Sequence, residues 1–261
     1  MALILVKPHK VLGSCLVLAH FMRGDWYMPS VRKKLLWYKE CSPTARALDV
    51  LGDRWTLLII RILTGGPVRF TEIQRRLPGI STEQLRTRLN QMTEYGLLRR
   101  ERFREVPPRV DYELTDRGRS ALKVVSALTE WGEQWASGPL LEDESVSVES
   151  LLLDKVAMKS IPGTMSAMRL RNNDRSLGQV LLEVISSGST RHYLISVLDG
   201  VVEFINTDGY PSSAENVISG THAQWVRLLL DGNSGGLVVT GRNSHKLLDM
   251  FFTIDEEALA A

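Results

Sequence analysis

Between Arg69 and Tyr112 the sequence sets out two helix starts, a proline–glycine break and an arginine-studded pair of extended segments. Thr71 is followed three residues later by Gln74, and Ser81 by Gln84, the spacing of a capping box at a helix N-terminus. Only Pro78-Gly79 separates the two helices, a break short enough for a tight helix-turn-helix. In the second helix Leu85, Leu89 and Met92 recur at i, i+4 and i+7, the spacing of a buried stripe. That arrangement turns Glu83, Arg86, Thr87, Asn90 and Gln91 outward, and such side chains hydrogen-bond base edges in a major groove. After Gly96, Leu97-Leu98 opens a segment carrying Arg99, Arg100, Arg102 and Arg104, which bends at Pro107-Pro108 and returns as Arg109 to Leu114. This is a two-stranded wing with cations placed for phosphates. The plainer alternative is a solvated helical hairpin with a charged face. Cations spread over helix, strand and tip suit one docking surface on duplex DNA better. The candidate contacts are Ser81, Thr82, Glu83, Arg86, Thr87, Arg88 and Asn90 on the helix, with Arg69, Arg102, Arg104 and Arg109 on phosphates.

The chain of 261 residues is long enough for two domains. Its formal charge of +2 hides an asymmetry: residues 1–40 carry 7 Lys/Arg against 2 Asp/Glu, 41–137 carry 16 against 12, and 138–261 carry 9 against 16. A basic front and an acidic back predict that only the front meets nucleic acid. Two cysteines, Cys15 and Cys41, make no disulfide framework and fit a reducing cytoplasm. No apolar run is long enough for a membrane span. Basic residues before the apolar Val11–Leu18 raise a signal peptide, but no small-x-small cleavage site follows. The expected location is cytoplasmic, without a membrane partner.

Four regions are expected. Residues 1–40 form an N-terminal extension, with Met22 and Met28 as alternative starts and a basic, aromatic stretch from Val31 to Tyr38. Residues 41–137 form the DNA-binding domain. Within it Ser42-Pro43 starts a helix, Asp53 caps the next, and Thr115 caps a long helix with Leu122, Val125 and Leu128 on one side. Trp131 and Trp135, at i and i+4 in that helix, pack either in the core or along a dimer seam. Residues 138–147, with Gly138-Pro139 and Glu142-Asp143-Glu144, form a linker. Residues 148–255 form a small α+β domain. It reads as a helix Leu151–Met158, strands Met165–Arg171 and Gln179–Ile185, and a hairpin His192–Leu198 and Val201–Asn206 around Asp199-Gly200. A helix capped by Thr221 and Gln224, a strand Leu237–Thr240 and a helix from Ser244 complete it. The fold class is therefore α+β, a winged helix-turn-helix followed by a smaller α+β unit.

Catalytic signatures are missing. Gly232-Asn233-Ser234-Gly235-Gly236 has the G-x-S-x-G string, but a nucleophile elbow needs a strand before it and a helix after it, and here the order is reversed. The five histidines lack metal-ligand spacing, and no glycine motif cradles a phosphate, so neither a metal nor a cofactor is expected. Cys41 directly precedes the helix start at Ser42-Pro43, with Lys39 nearby, and both features favour a thiolate. Its plainer role is a small, half-buried hydrophobe.

Cys41, Gly52-Asp53-Arg54-Trp55, Arg69-Phe70, Pro78-Gly79-Ile80-Ser81, Tyr95-Gly96-Leu97-Leu98 and Pro107-Pro108 through Thr115 together resemble the HxlR family of bacterial transcription regulators. The resemblance covers residues 41–136. It implies a winged helix-turn-helix acting as a homodimer on a two-fold operator, a recognition helix from Ser81 to Gln91, and a wing from Arg102 to Arg109. It also implies that the cysteine matching Cys41 senses oxidants or electrophiles in some members, although no second cysteine lies in the matched region. Tyr193 to Glu203, Ile218 to Leu230 and Gly236 to Gly241 are similar to a sterol-carrier-protein-type domain, which holds an apolar ligand between sheet and helices. Trp225, Leu229, Leu248, Phe251 and Phe252 would lie near such a pocket, their plainer role being core. The expected function is a homodimeric regulator that binds a DNA operator and answers to an apolar effector. The rivals are a Cys41 thiol switch with an inert back domain, and a lipid carrier whose winged domain only dimerises.

Overall fold

The computed structural model describes residues 38–103, 109–136, 138, 146–159, 178–198, 201–207 and 214–252. The extension before Tyr38, the wing tip with Arg104 and Pro107-Pro108, most of the linker, the expected strand Met165–Arg171 and the turn Asp199-Gly200 fall outside them. By internal contacts the chain divides after Asp49, with everything from Val50 onward in one compact unit.

Helix α1 (Pro43–Leu51) begins where Ser42-Pro43 predicts it, and Ser42 Oγ accepts from Ala45 N–H at 3.1 Å. Further on, Asp53 Oδ1 accepts from Trp55 N–H at 2.8 Å, but the N-cap of α2 (Thr56–Ile62) is Trp55 and not Asp53 as expected, because that bond closes the turn before the helix. A short strand β1 (Val68–Arg69) leads into α3 (Phe70–Arg75), and a turn through Gly79, at φ +87°, leads to α4 (Thr82–Glu94). The wing is β2 (Leu98–Phe103) and β3 (Arg109–Leu114), antiparallel, with Arg100 opposite Tyr112. β1 pairs with the other edge of β3, giving the order β1-β3-β2. Helices α5 (Asp116–Ser120) and α6 (Leu122–Trp135) follow.

Three local expectations change here. Thr71 does not cap a helix, because pairing of Val68-Arg69 with Tyr112 and Asp111 starts α3 at Phe70 and leaves Thr71 inside it. Gln74 instead donates to Thr82 Oγ1 at 2.9 Å and ties the two helices of the helix-turn-helix together. Thr115 does accept from Gly118 N–H, but the helix it caps ends at Ser120 and restarts at Leu122. Finally, Leu128, Trp131 and Trp135 are not core: they are 51%, 60% and 68% exposed in the single chain.

The acidic half begins with α7 (Val148–Lys159) and a five-stranded sheet: β4 (Gly178–Ser186), β5 (Ser189–Leu198), β6 (Val201–Thr207), β7 (Val217–Thr221) and β8 (Val238–Thr240). Their order is β6-β5-β4-β7-β8, antiparallel except that β7 runs parallel to β4. Parallel neighbours need a crossover rather than a tight turn, and this is why β7 escaped a reading built on hairpins. Helices α8 (His222–Asp231) and α9 (Ser244–Phe252) flank β8. The capping box at Thr221 and Gln224 is complete, and Gly232 ends α8 in the left-handed conformation.

Two apolar cores result. One gathers Ile59, Ile60, Ile73, Leu85, Leu89, Met92, Leu98 and Leu114 from the winged half; the other gathers Leu152, Val180, Leu182, Tyr193, Ile218 and Trp225 from the acidic half. Helix α7 belongs to both, since Ala157 lies in the first core while Val148, Leu152, Leu153 and Val156 lie in the second.

Candidate nucleic-acid interface

The interface is built on α4. Ser81 caps it with both arms of the box, Gln84 N–H to Ser81 Oγ at 3.2 Å and Ser81 N–H to Gln84 Oε1 at 3.0 Å. Leu85, Leu89 and Met92 are fully buried and fix the rotation of the helix. Ser81, Thr82, Glu83, Arg86, Thr87 and Asn90 are exposed as a consequence, and Arg86 pairs with Glu83 at 2.7 Å. Arg88 is placed differently. It is half-buried and ion-paired to Asp53 Oδ2, while the other oxygen of Asp53 accepts from Trp55 N–H just ahead of α2. Arg88 therefore anchors the recognition helix to the start of α2, a partnership 35 residues apart in sequence that local spacing cannot reveal.

The strand register sorts the wing cations by face, since side chains alternate along a strand. Arg100 and Arg102 stand opposite Tyr112 and Val110, on the face that continues from the buried Leu98 and Leu114. Arg99 stands opposite Glu113, whose carboxylate it binds at 2.6 Å and shares with Arg119 at 3.1 Å. Arg69 stands opposite Asp111, on the Arg99 face, and is exposed. Arg109 lies opposite Phe103 in the ladder, while Arg104 falls outside the described residues. Of the residues singled out in the sequence, the structure thus brings Arg86 and Asn90 of α4 to one concavity. It adds Phe70, Arg100, Val110 and Tyr112, with a volume of about 280 Å³.

Helix α3 is held from behind. Its Glu72 binds Arg75 Nε and Arg76 Nε, each at 2.9 Å, and these guanidinium groups, Arg75 foremost, hold its carboxyl down at about 2. The same two arginines reach Glu149 of α7, Arg76 at 2.7 Å and Arg75 at 3.5 Å, with Arg191 of β5 at 4.0 Å. Glu149 is 2% exposed and Arg76 8%, so this ion pair between the two halves is out of water. Arg61 of α2 bridges to Asp154 at 3.2 Å, and burial pushes the Asp154 carboxyl up despite that partner. Lys155 reaches Glu133 of α6 at 2.7 Å.

In the first unit Cys41 is exposed, and Arg46 Nη2 lies 2.8 Å from its sulfur. In the acidic half, Trp225, Leu229, Leu248 and Phe252 are buried in one cluster; the rings of Trp225 and Phe252 meet edge-on at 5.9 Å, and Trp225 Nε1 donates to Glu183 O at 2.8 Å. The side chain of Phe251 lies outside the described residues. Among the described residues no group of three or more His, Cys, Asp or Glu is placed to hold a metal ion, and no helix is long and apolar enough to cross a membrane.

Residues 50–139 match the model of the HxlR-like helix-turn-helix family. An uncharacterized HTH-type transcriptional regulator of Methanothermobacter thermautotrophicus is 41% identical over 91 residues, which are 35% of this chain and 70% of that protein. The chain belongs to the HxlR-like helix-turn-helix family. A second relative, the uncharacterized HTH-type transcriptional regulator YvaP of Bacillus subtilis, is 32% identical over 39% of this chain and 94% of its own length. Among solved structures, the reduced form of the transcriptional regulator YodB from B. subtilis is 34% identical over 37% of this chain and 95% of that one, with a TM-score of 0.34. These relatives are HTH-type transcriptional regulators, a non-enzymatic class, and the matched region holds the winged helix-turn-helix described above. Residues 140–261 lie outside the family match.

Proposed function

We propose that this HxlR-type regulator is a cytoplasmic homodimer that reads a two-fold operator with α4 and holds the DNA backbone with its wing. The observation that carries the proposal is the exposed polar face of α4 standing beside the Arg100–Arg102 face of the wing. Thr87 and Asn90 would meet base edges, with Ser81, Thr82 and Glu83 at the groove entrance and Arg86 on the wing side of the helix, beside Arg100. Arg69, Arg102, Arg104 and Arg109 would meet phosphates, and Arg88 would act by anchoring α4. The functional parts would be residues 41–137 for DNA and 148–255 for the effector. The latter, a sheet covered by α7, α8 and α9, is of the sterol-carrier type by resemblance, with an apolar molecule entering among Trp225, Leu229, Leu248, Phe251 and Phe252. Shared helix α7 and the Arg76–Glu149 pair would pass a change in that core to α3. A ligand shifts such an equilibrium only by binding its two states differently.

The test is duplex DNA binding by wild type and the Arg86→Ala, Arg102→Ala double variant across a salt series. Wild-type affinity should fall steeply with salt and the variant should bind markedly less well. Equal binding by the two proteins would remove α4 and the wing from the interface and revive the lipid-carrier alternative. Native mass spectrometry of the mildly purified chain reads the effector directly as a lipid-sized adduct.

One observation favours a second reading, a thiol switch at Cys41. The Arg46 guanidinium beside an exposed sulfur at a helix start stabilises a thiolate, the nucleophilic form. Oxidant-induced loss of DNA binding that survives Cys41→Ser would rule this reading out.

A further inference from the structure

The concavity between α4 and the wing is assembled from four elements. Phe70 opens α3, Arg86 and Asn90 lie one turn apart on α4, Arg100 comes from β2, and Val110 and Tyr112 come from β3. Its chemistry is two-sided. The floor is apolar and aromatic, and the rim carries two guanidinium groups and a carboxamide. At about 280 Å³ it is at or below the lower limit of pockets that enclose drug-sized ligands. A tetrahedral oxyanion with an attached sugar matches both the rim and the floor.

We propose that this concavity seats one backbone phosphodiester of duplex DNA, with Arg100 and Arg86 on the oxyanion and the Phe70, Val110 and Tyr112 floor under the deoxyribose. This rests on the DNA-binding reading above and deepens it, giving a defined seat to Arg100, a wing cation outside the phosphate contacts named there. Several observations select Arg100. Arg99, its neighbour, is engaged by the Glu113 carboxylate on the opposite face. Arg100 pairs with no carboxylate among the described residues and instead lies over the Tyr112 ring at 6.0 Å, an arrangement that orients a guanidinium without neutralising it. Arg86 is held by Glu83, but both are largely exposed, at 60% and 73%, so the pair is weak and open to exchange for a phosphate. The place is also right: with the exposed face of α4 in a major groove, the adjacent strand of the duplex runs between that helix and the wing. Arg102, one pleat further along the same face, extends the cationic track toward the tip.

The experiment uses the full chain and a labelled mixed-sequence duplex, since phosphate contacts are independent of sequence. Binding is measured over a chloride series for wild type, Arg100→Gln, Arg100→Lys and Arg227→Gln. The last removes one exposed cation from α8 and controls for net charge. Losing one phosphate contact should lower the slope of log K against log salt by about 0.9 in Arg100→Gln. Arg100→Lys should keep the wild-type slope, and so should Arg227→Gln. A wild-type slope in Arg100→Gln, or an equal loss in Arg227→Gln, overturns the seat while leaving DNA binding intact. A wild-type protein with no salt dependence overturns the DNA reading itself, and the seat with it.

Discussion

Gly118 lies inside α5, the helix that closes the wing, and a Cβ built on it would lie 2.2 Å from the carbonyl oxygen of Leu97. That oxygen also accepts from Thr115 N–H at 3.0 Å, so the residues after β3 and those before β2 are locked together at the base of the wing. Gly118→Ala must push backbone against backbone and should cost on the order of 1–3 kcal/mol, read as a lower midpoint in urea unfolding. A midpoint equal to wild type would show that the contact relaxes freely. Glu72 gives a second prediction at this scale. Its folded-state value of about 2 lies below the ordinary 4.5, because Arg75 and Arg76 favour the carboxylate. The stabilisation is therefore complete above about 4.5 and lost as pH falls toward about 2. Glu72→Gln should melt lower than wild type at neutral pH, and the gap should close across that acid interval. A gap independent of pH would mean that Glu72 acts by packing and not by charge.

At the scale of elements, helices begin where a cap and the neighbouring strand agree. Ser81 satisfies two backbone groups of α4 reciprocally, and Ser81→Ala should cost about 1 kcal/mol. Thr71 has the same sequence spacing to a glutamine but sits inside α3, because β1 pairing decides where that helix starts. Thr71→Ala should therefore cost much less than Ser81→Ala in a paired denaturation measurement, and equal costs would restore Thr71 as a cap. The same logic explains α6. The helix breaks at Ala121 and restarts at Leu122, and of the stripe expected to bury, Val125 is buried and Leu122 packs against the core while Leu128 stands outward.

The whole molecule has two features that belong to no single element. Val124, Leu128, Trp131 and Trp135 form an outward stripe along α6 at i, i+4, i+7 and i+11, a run of large apolar side chains that a soluble monomer rarely leaves in water. Replacing Trp131 and Trp135 together by Glu should turn a dimer into a folded monomer in sedimentation analysis; a dimer that persists would move the seam elsewhere. The second feature is the buried pair Arg76–Glu149 between the winged half and the acidic half. Losing one partner of a buried pair outright costs about 3–5 kcal/mol, but Arg76 keeps Glu72 at 2.9 Å, so removing Glu149 should cost less than that. Glu149→Gln should lower the melting temperature and split one calorimetric transition into two as the halves uncouple. A single transition at the wild-type temperature would show that the shared helix α7 alone holds them.

Features that repeat over a turn or a pleat were legible in the residues alone. The stripe Leu85, Leu89 and Met92, the caps at Ser42, Ser81 and Thr221, the alternation of the wing and the hairpin of β5 and β6 are all written in neighbouring residues, because cap and periodicity act over three or four positions. The exposed face of α4 was legible for the same reason. Contacts between partners far apart in the chain emerged only with packing. Arg88 looks outward by composition but is held by Asp53, and Arg76 and Arg61 look solvated but close on Glu149 and Asp154. Arg100 separates from Arg99 only once the register with β3 assigns them to opposite faces. The parallel placement of β7 beside β4 rests on a crossover that leaves no local mark. Charge and hydrophobicity are properties of a residue, whereas burial and pairing are properties of the packed chain, and a long-range ion pair exists only after packing has brought its two ends together.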